Sequence, residues 1–147
     1  MDYQRRNGYV LLVDDEPCIC LALAMLLQSH GYQTVTACSC DEALQFIAGS
    51  LPAVILSDVN MPHRSGLDLL RELRSGPPAL RQIPVVLVSA LTRADDRTAG
   101  LKAGAQDYIF KPFAPERILR TVELLWPADP ASEEEEDPPQ LLAPARE

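Results

Sequence analysis

The sequence is most informative first for what it lacks. It has no apolar run approaching the roughly 20 residues that cross a bilayer, and its start, Met1 to Gly8, is polar rather than leader-like. A membrane span is not expected, and the chain reads as a cytoplasmic protein. It also lacks a basic excess: net charge is −8, and the seven acids from Pro127 onward against Arg146 alone place −6 on the last 21 residues. The remaining body is nearly neutral at −2 and offers no positive stripe for a phosphate backbone, so direct nucleic-acid binding is not expected. Histidine is scarce, with only His30 and His63. His30 is expected in the last turn of the first helix and His63 in a loop after Pro62, and neither looks catalytic. The four cysteines form two Cys-x-Cys pairs, Cys18/Cys20 and Cys38/Cys40. Residues two apart at the start of a helix point to nearly opposite sides, so the first pair could not readily share one ion, and reduced structural thiols are the better reading.

What is present is an alternation. Tyr9–Val13 is a continuous β-rich apolar run of the kind buried on both faces of a parallel sheet. Pro17 suits a first helical position, and Leu21, Leu23, Ala24 and Leu27 give a helical apolar stripe that ends at Gly31. The pattern repeats, with strands expected at Gln33–Ala37, Ala53–Ser57, Val85–Ser89 and Tyr108–Phe110. Helices are expected near Asp41–Ala48, Gly66–Arg74, Arg93–Ala103 and Pro115–Leu125, the fourth opened by a capping box of Thr92 and Asp95. Five strands alternating with five helices predict an α/β fold: one doubly wound parallel sheet, flavodoxin-like, in the order 2-1-3-4-5. The first and fifth helices should lie on one face and the second to fourth on the other. Residues 1–8 read as an N-terminal extension, 9–126 as the domain, and 127–147 as an acidic, Pro-rich disordered tail or a linker to a further effector domain.

In such sheets ligands sit beyond the carboxyl ends of the strands. Four strand ends carry chemistry there: Asp14 and Asp15 after the first, Asp58 after the third, Ser89 at the fourth and Lys111 after the fifth. Asp14 and Asp15 could merely open a helix and Asp58 cap a turn. Gathered in one volume, however, three carboxylates repel one another unless a cation intervenes, and Mg²⁺, which takes oxygen ligands and phosphate oxygens, fits best. Lys111 then supplies a fixed positive charge and Ser89 a hydroxyl, so the set suits an aspartate nucleophile that accepts a phosphoryl group.

These residues stand in four motifs: Val13-Asp14-Asp15-Glu16-Pro17, Asp58-Val59-Asn60-Met61-Pro62 with Gly66, Ser89-Ala90, and Lys111-Pro112-Phe113. In order and spacing they resemble the receiver domains of two-component response regulators over about residues 8–126, in the manner of chemotaxis regulators. The resemblance implies Asp58 as phosphoacceptor, Asp15 as a direct Mg²⁺ ligand (Mn²⁺ being able to substitute), Asp14 acting mostly through water, and the backbone carbonyl of Asn60 completing the protein's share. It implies a Lys111–Pro112 peptide that is often cis, and Ser89 with Tyr108 as a switch pair that reshapes the face made by the fourth helix, fifth strand and fifth helix. Such a protein is a signalling switch rather than an enzyme, promoting only its own phosphorylation and dephosphorylation. The implied donor is a histidine kinase, a phosphotransfer protein or a small acyl phosphate, and the implied output a downstream protein target or an effector domain beyond this sequence. A monomer or weak dimer is expected. The charge-paired dimer of winged-helix regulators is less expected, because Gln106 and Thr121 stand where those proteins usually carry an acid and an arginine. Two rivals are weighed. A haloacid-dehalogenase-type phosphatase needs a second aspartate two residues after the first, where this chain has Asn60. A degenerate receiver used only as a scaffold would not need the full set of Asp14, Asp15, Asp58, Ser89 and Lys111.

Overall fold

The computed structural model describes residues 8–91 and 93–127. The expected capping role of Thr92, most of the N-terminal extension and nearly all of the acidic tail therefore lie outside the described residues.

The chain alternates β1 (Tyr9–Val13), α1 (Pro17–Gln28), β2 (Gln33–Ala37), α2 (Cys40–Gly49), β3 (Val54–Asp58), α3 (Gly66–Arg74), α4 (Pro78–Arg81), β4 (Val85–Ser89), α5 (Ala94–Lys102), β5 (Asp107–Phe110) and α6 (Pro115–Leu125). The strands form one parallel sheet in the order β2-β1-β3-β4-β5, as expected. Among the described residues six helices stand where five were expected. The additional one, α4, is four residues begun by Pro78 at a first helical position, too short to show a 3.6-residue period. The expected fourth and fifth helices are thus α5 and α6.

Alternate residues of β1, β3, β4 and β5 feed two cores, the consequence of the two-residue strand period. Leu11, Ile55, Leu87 and Tyr108 pack with Ala43 and Ile47 of α2 and with Leu69, Leu70 and Leu73 of α3. Val10, Leu12, Leu56, Val88 and Ile109 pack with Leu23, Ala24 and Leu27 of α1 and with Ile118 and Val122 of α6. Gly100 of α5 lies against Leu87 and Tyr108, which puts α5 with α2 and α3. The division of helices between faces is the expected one.

Two local readings change. Leu21 is exposed, and Cys20 takes its place on the buried face of α1, in step with Leu23, Ala24 and Leu27. Because α1 carries apolar residues all round, no polar face fixed the phase of its stripe. His30 lies beyond the end of α1, not in its last turn, and Gly31 takes a left-handed φ of 88° after it. Arg93 flanks α5, and its side chain makes no cap. Helix ends closed by side-chain oxygens do occur elsewhere: Ser39 Oγ accepts from the Glu42 N–H at α2, and Ser65 with Asp68 forms a reciprocal capping box at α3.

Candidate functional site

Parallel strands end together, and here they end on polar groups. β1 continues one step past Val13, where the Asp14 N–H donates to the Ala37 carbonyl at 3.1 Å. The Asp14 carboxylate accepts the Glu16 N–H at 3.0 Å as the chain turns into α1. β3 ends on Asp58, paired with Val88, and β4 ends on Ser89, paired with Phe110. The Lys111 N–H then donates to the Ser89 carbonyl at 2.8 Å, and the Lys111–Pro112 peptide is cis.

These ladders bring the charged side chains together. Lys111 Nζ lies 3.1 Å from Asp14 Oδ2 and 3.6 Å from Asp58 Oδ1. Carboxylate oxygens of Asp14, Asp15 and Asp58 all lie within 4.8 Å of one another. Asp14 and Asp58 are buried, at 4% and 8% exposure, and Asp15 is the more accessible third. Asn60 follows on the exposed loop after β3.

The electrostatics follow from that crowding. Burial pushes the pKa of Asp58 above the usual carboxylate value, and the charge of Asp14 adds to it, against the pull of Lys111 and of the Val59 and Asn60 N–H groups. Burial alone would lower the pKa of Lys111, but its hydrogen bond to Asp14 and the charges of Asp58 and Asp14 outweigh it, so it stays an ammonium. With all three acids ionised, the pocket holds three negative charges against one positive. Two charges uncompensated, oxygen donors only, and one acid open to solvent are what a hard dication requires, so the residues fit Mg²⁺. The neighbouring thiol does not change that: Cys20 is pushed up to about 11 by burial and then by Asp14, and its Sγ lies 3.5 Å from the Asp14 carbonyl. All four cysteines are free.

A second network leaves the pocket toward α5. The Leu91 N–H donates to Ser89 Oγ at 3.0 Å, and the Tyr108 hydroxyl donates to the Leu91 carbonyl at 3.0 Å. Tyr108 is buried, and burial raises its pKa, with the Ser89 side chain pulling the other way. Ser89 and Tyr108 are therefore linked through the backbone of one residue.

Gly66 is more than part of a motif. A Cβ there would sit 2.2 Å from the Asp58 carbonyl oxygen, so only glycine lets α3 begin against the end of β3. Its N–H closes the intervening loop onto the Val59 carbonyl at 2.9 Å. Arg64 anchors the same loop to α2 and α3 by pairing with Asp41 at 3.1 Å and with Glu72. His63 in that loop is exposed with φ of 70°, and His30 is exposed at the end of α1, bonded to Leu26 and Ser29. Neither histidine belongs to the carboxylate cluster. Among the described residues no helix is long and apolar enough to cross a membrane.

Comparison with known proteins gives a consistent picture. The family model described as "Response regulator receiver domain" matches residues 10–123. The probable transcriptional regulatory protein TcrX of Mycobacterium tuberculosis is 41% identical over 110 residues, covering 75% of this chain and 46% of that protein. The transcriptional regulatory protein KdpE of the same species is 38% identical over 129 residues, covering 88% of this chain and 55% of KdpE. The chain thus spans about half the length of these curated relatives. Among solved structures, the receiver domain of a signal transduction histidine kinase from Syntrophus aciditrophicus superposes with a TM-score of 0.74 at 37% identity, covering 80% of this chain and 89% of that one. The chemotaxis response regulator CheY4 of Vibrio cholerae does so with 0.74 at 31% identity, covering 80% and 98%.

Proposed function

The chain belongs to the response regulator receiver domain family, whose members are phosphoacceptor switches, and from that premise we propose that Asp58 is its phosphoacceptor. The observation that carries this reading is Lys111 Nζ set between Asp14 and Asp58, with the Asp15 carboxylate beside them.

In the proposed reaction an Asp58 carboxylate oxygen attacks phosphorus, and an O–P bond forms as the bond to the donor breaks. With a phosphohistidine donor the bond broken is N–P; the imidazole leaves with the electron pair and takes a proton from solvent. Receiver domains generally bind Mg²⁺ at an acidic pocket, and here Asp14, Asp15, Asp58 and the Asn60 carbonyl would hold it, Asp14 mostly through water. The ion supplies charge neutralisation for the transferring oxygens. Lys111 shifts its ammonium from Asp58 toward a phosphoryl oxygen, holding charge that was on the carboxylate. Ser89 donates its hydroxyl to another phosphoryl oxygen, which requires that hydroxyl to reorient within its contact to the Leu91 N–H. Leu91 then couples the change to Tyr108 and to the α5–β5–α6 face. The chain promotes only its own phosphorylation and dephosphorylation.

The proposed donor is a histidine kinase or phosphotransfer protein, with small acyl phosphates able to substitute, and the proposed site of action is the cytoplasm. The proposed output is a protein target, or an effector domain joined through residues 127–147, with residues 9–126 as the receiver unit and a monomer or weak dimer in solution. Incubation of the full chain with acetyl phosphate tests the reading. Labelling should require Mg²⁺ or Mn²⁺, disappear with a chelator, vanish in Asp58→Asn and no longer respond to added metal in Asp15→Ala. Undiminished labelling of Asp58→Asn would refute it.

A further inference from the structure

Of the described residues of α5, Gly100 alone is buried. A glycine inside a helix gives up about 1 kcal/mol of helical stability relative to alanine, so its presence calls for a reason. The backbone does not supply one, because φ at Gly100 is not among the positive values that glycine alone takes readily. Space does. A Cβ at residue 100 would sit 2.9 Å from Leu87 Cδ1 and 3.0 and 3.4 Å from Cδ2 and Cε2 of the Tyr108 ring. Leu87 is wholly enclosed in the core at 0% exposure and has nowhere to go. Tyr108 is buried too, at 3% exposure, so its ring can give way only by swinging out with its hydroxyl. Its ring lies at the end of the link that runs from Ser89 through Leu91, packed in the core with its hydroxyl bonded to the Leu91 carbonyl at 3.0 Å and its edge on Phe110 at 5.6 Å.

We propose that Gly100 is a positioning residue of the switch: its missing side chain is the socket that lets the Tyr108 ring lie inward beneath α5. A larger residue at 100 holds the ring outward. This rests on the reading of Ser89 and Tyr108 as switch residues given above, and it adds α5 as the element whose distance from the sheet decides which ring position is available. The rest of α5 is well suited to that, since its other described residues are exposed or only half-buried and little else fastens it to the sheet.

The test is fluorine NMR on the full chain carrying 3-fluorotyrosine at its four tyrosines, with the Tyr108 resonance assigned by its loss in Tyr108→Phe. In the native chain, phosphorylation with acetyl phosphate and Mg²⁺ should change the Tyr108 resonance. In Gly100→Ala, the resonance should leave the buried position already in the unphosphorylated protein and no longer respond to phosphorylation, while Asp58 labelling is retained. A merely structural role would lower stability but leave the response in place. An unmoved resonance with a native response to phosphorylation overturns the proposal. If Gly100→Ala fails to fold, the same change in a Tyr108→Leu background should fold as Tyr108→Leu alone does, and failure there too overturns it. Because the resonance is read without phosphorylation, a shifted ring in a chain that cannot be labelled would uphold the socket while refuting the phosphoacceptor reading.

Discussion

Asp58 is held in the resting protein against its own solvation. It is buried, it faces Asp14 at short range, and the Lys111 ammonium only partly offsets the crowding. A carboxyl group whose pKa is raised by folding binds its proton more tightly in the folded chain than in the unfolded one. Its ionised form therefore lowers stability at pH values above the raised pKa, and that loss is recovered as pH falls through it. Asp58→Asn removes the charge and keeps the shape. Without metal at neutral pH, the variant should be more stable by on the order of 1 kcal/mol, or a few degrees in thermal midpoint for a chain of this size. The advantage should shrink as the pH is lowered through the range where Asp58 takes its proton. Added Mg²⁺ should narrow it too, by stabilising the native chain more than the variant. Thermal melts across pH, with and without Mg²⁺, measure all three effects, and an Asn variant no more stable than the native chain at neutral pH would contradict them.

At the scale of elements, the junction between β3 and α3 carries the most demanding packing. Gly66→Ala places a Cβ against the Asp58 carbonyl oxygen, a backbone atom that cannot turn aside. It should lower stability by roughly 3 kcal/mol, in the range of severe core changes, and displace Asp58 as well. Ser65→Ala removes only a cap and should lose about 1 kcal/mol while leaving Asp58 in place. Urea unfolding of the pair, read beside Asp58 labelling, separates the two. Near the start of β5, Gln106 Oε1 accepts from the Val85 N–H at 2.8 Å and from Arg74 Nη2 at 3.0 Å, and Arg74 Nη1 is buried with no hydrogen-bond partner. Gln106→Glu keeps both acceptor contacts and adds a charge opposite the guanidinium, so it should raise stability by about 0.5–1 kcal/mol, less in high salt. An unchanged or lower midpoint would show that the carboxylate's desolvation outweighs the pairing.

These elements also show how far the sequence could be read. The strands were legible because each is a compact apolar run ending on a polar residue, and the long helices because Pro, Ser or Gly punctuates them. The four-residue α4 has no period to detect, and the exposed side of Leu21 on α1 has no signal because a helix apolar all round gives no phase. The meeting of Asp14, Asp15, Asp58 and Lys111 was legible because strand ends converge whatever the details of the loops between them. The link through Leu91 was not, since it is made by a backbone N–H and carbonyl that carry no side-chain signature. Gly66 and Gly100 were visible as glycines, but what each makes room for depends on atoms far away in sequence.

For the whole molecule, the sheet acts as the frame that turns four separated segments into one site. The parallel order puts Asp14, Asp58, Ser89 and Lys111 at neighbouring strand ends, and the two cores on either face hold those ends in register. In the proposed switch the same register would carry the site's state sideways, from Ser89 at the end of β4 to Tyr108 on β5 and so to α5 and α6. If this account is right, one carboxylate among the chain's acids is the acceptor, and the others in the pocket serve it. Peptide mapping by tandem mass spectrometry, after treatment of the full chain with acetyl phosphate and Mg²⁺ and reductive trapping of the labile acyl phosphate, tests that most directly. The account predicts the trapped modification at Asp58 alone, and finding it on Asp14, Asp15 or a hydroxyl residue, or finding none, would contradict it.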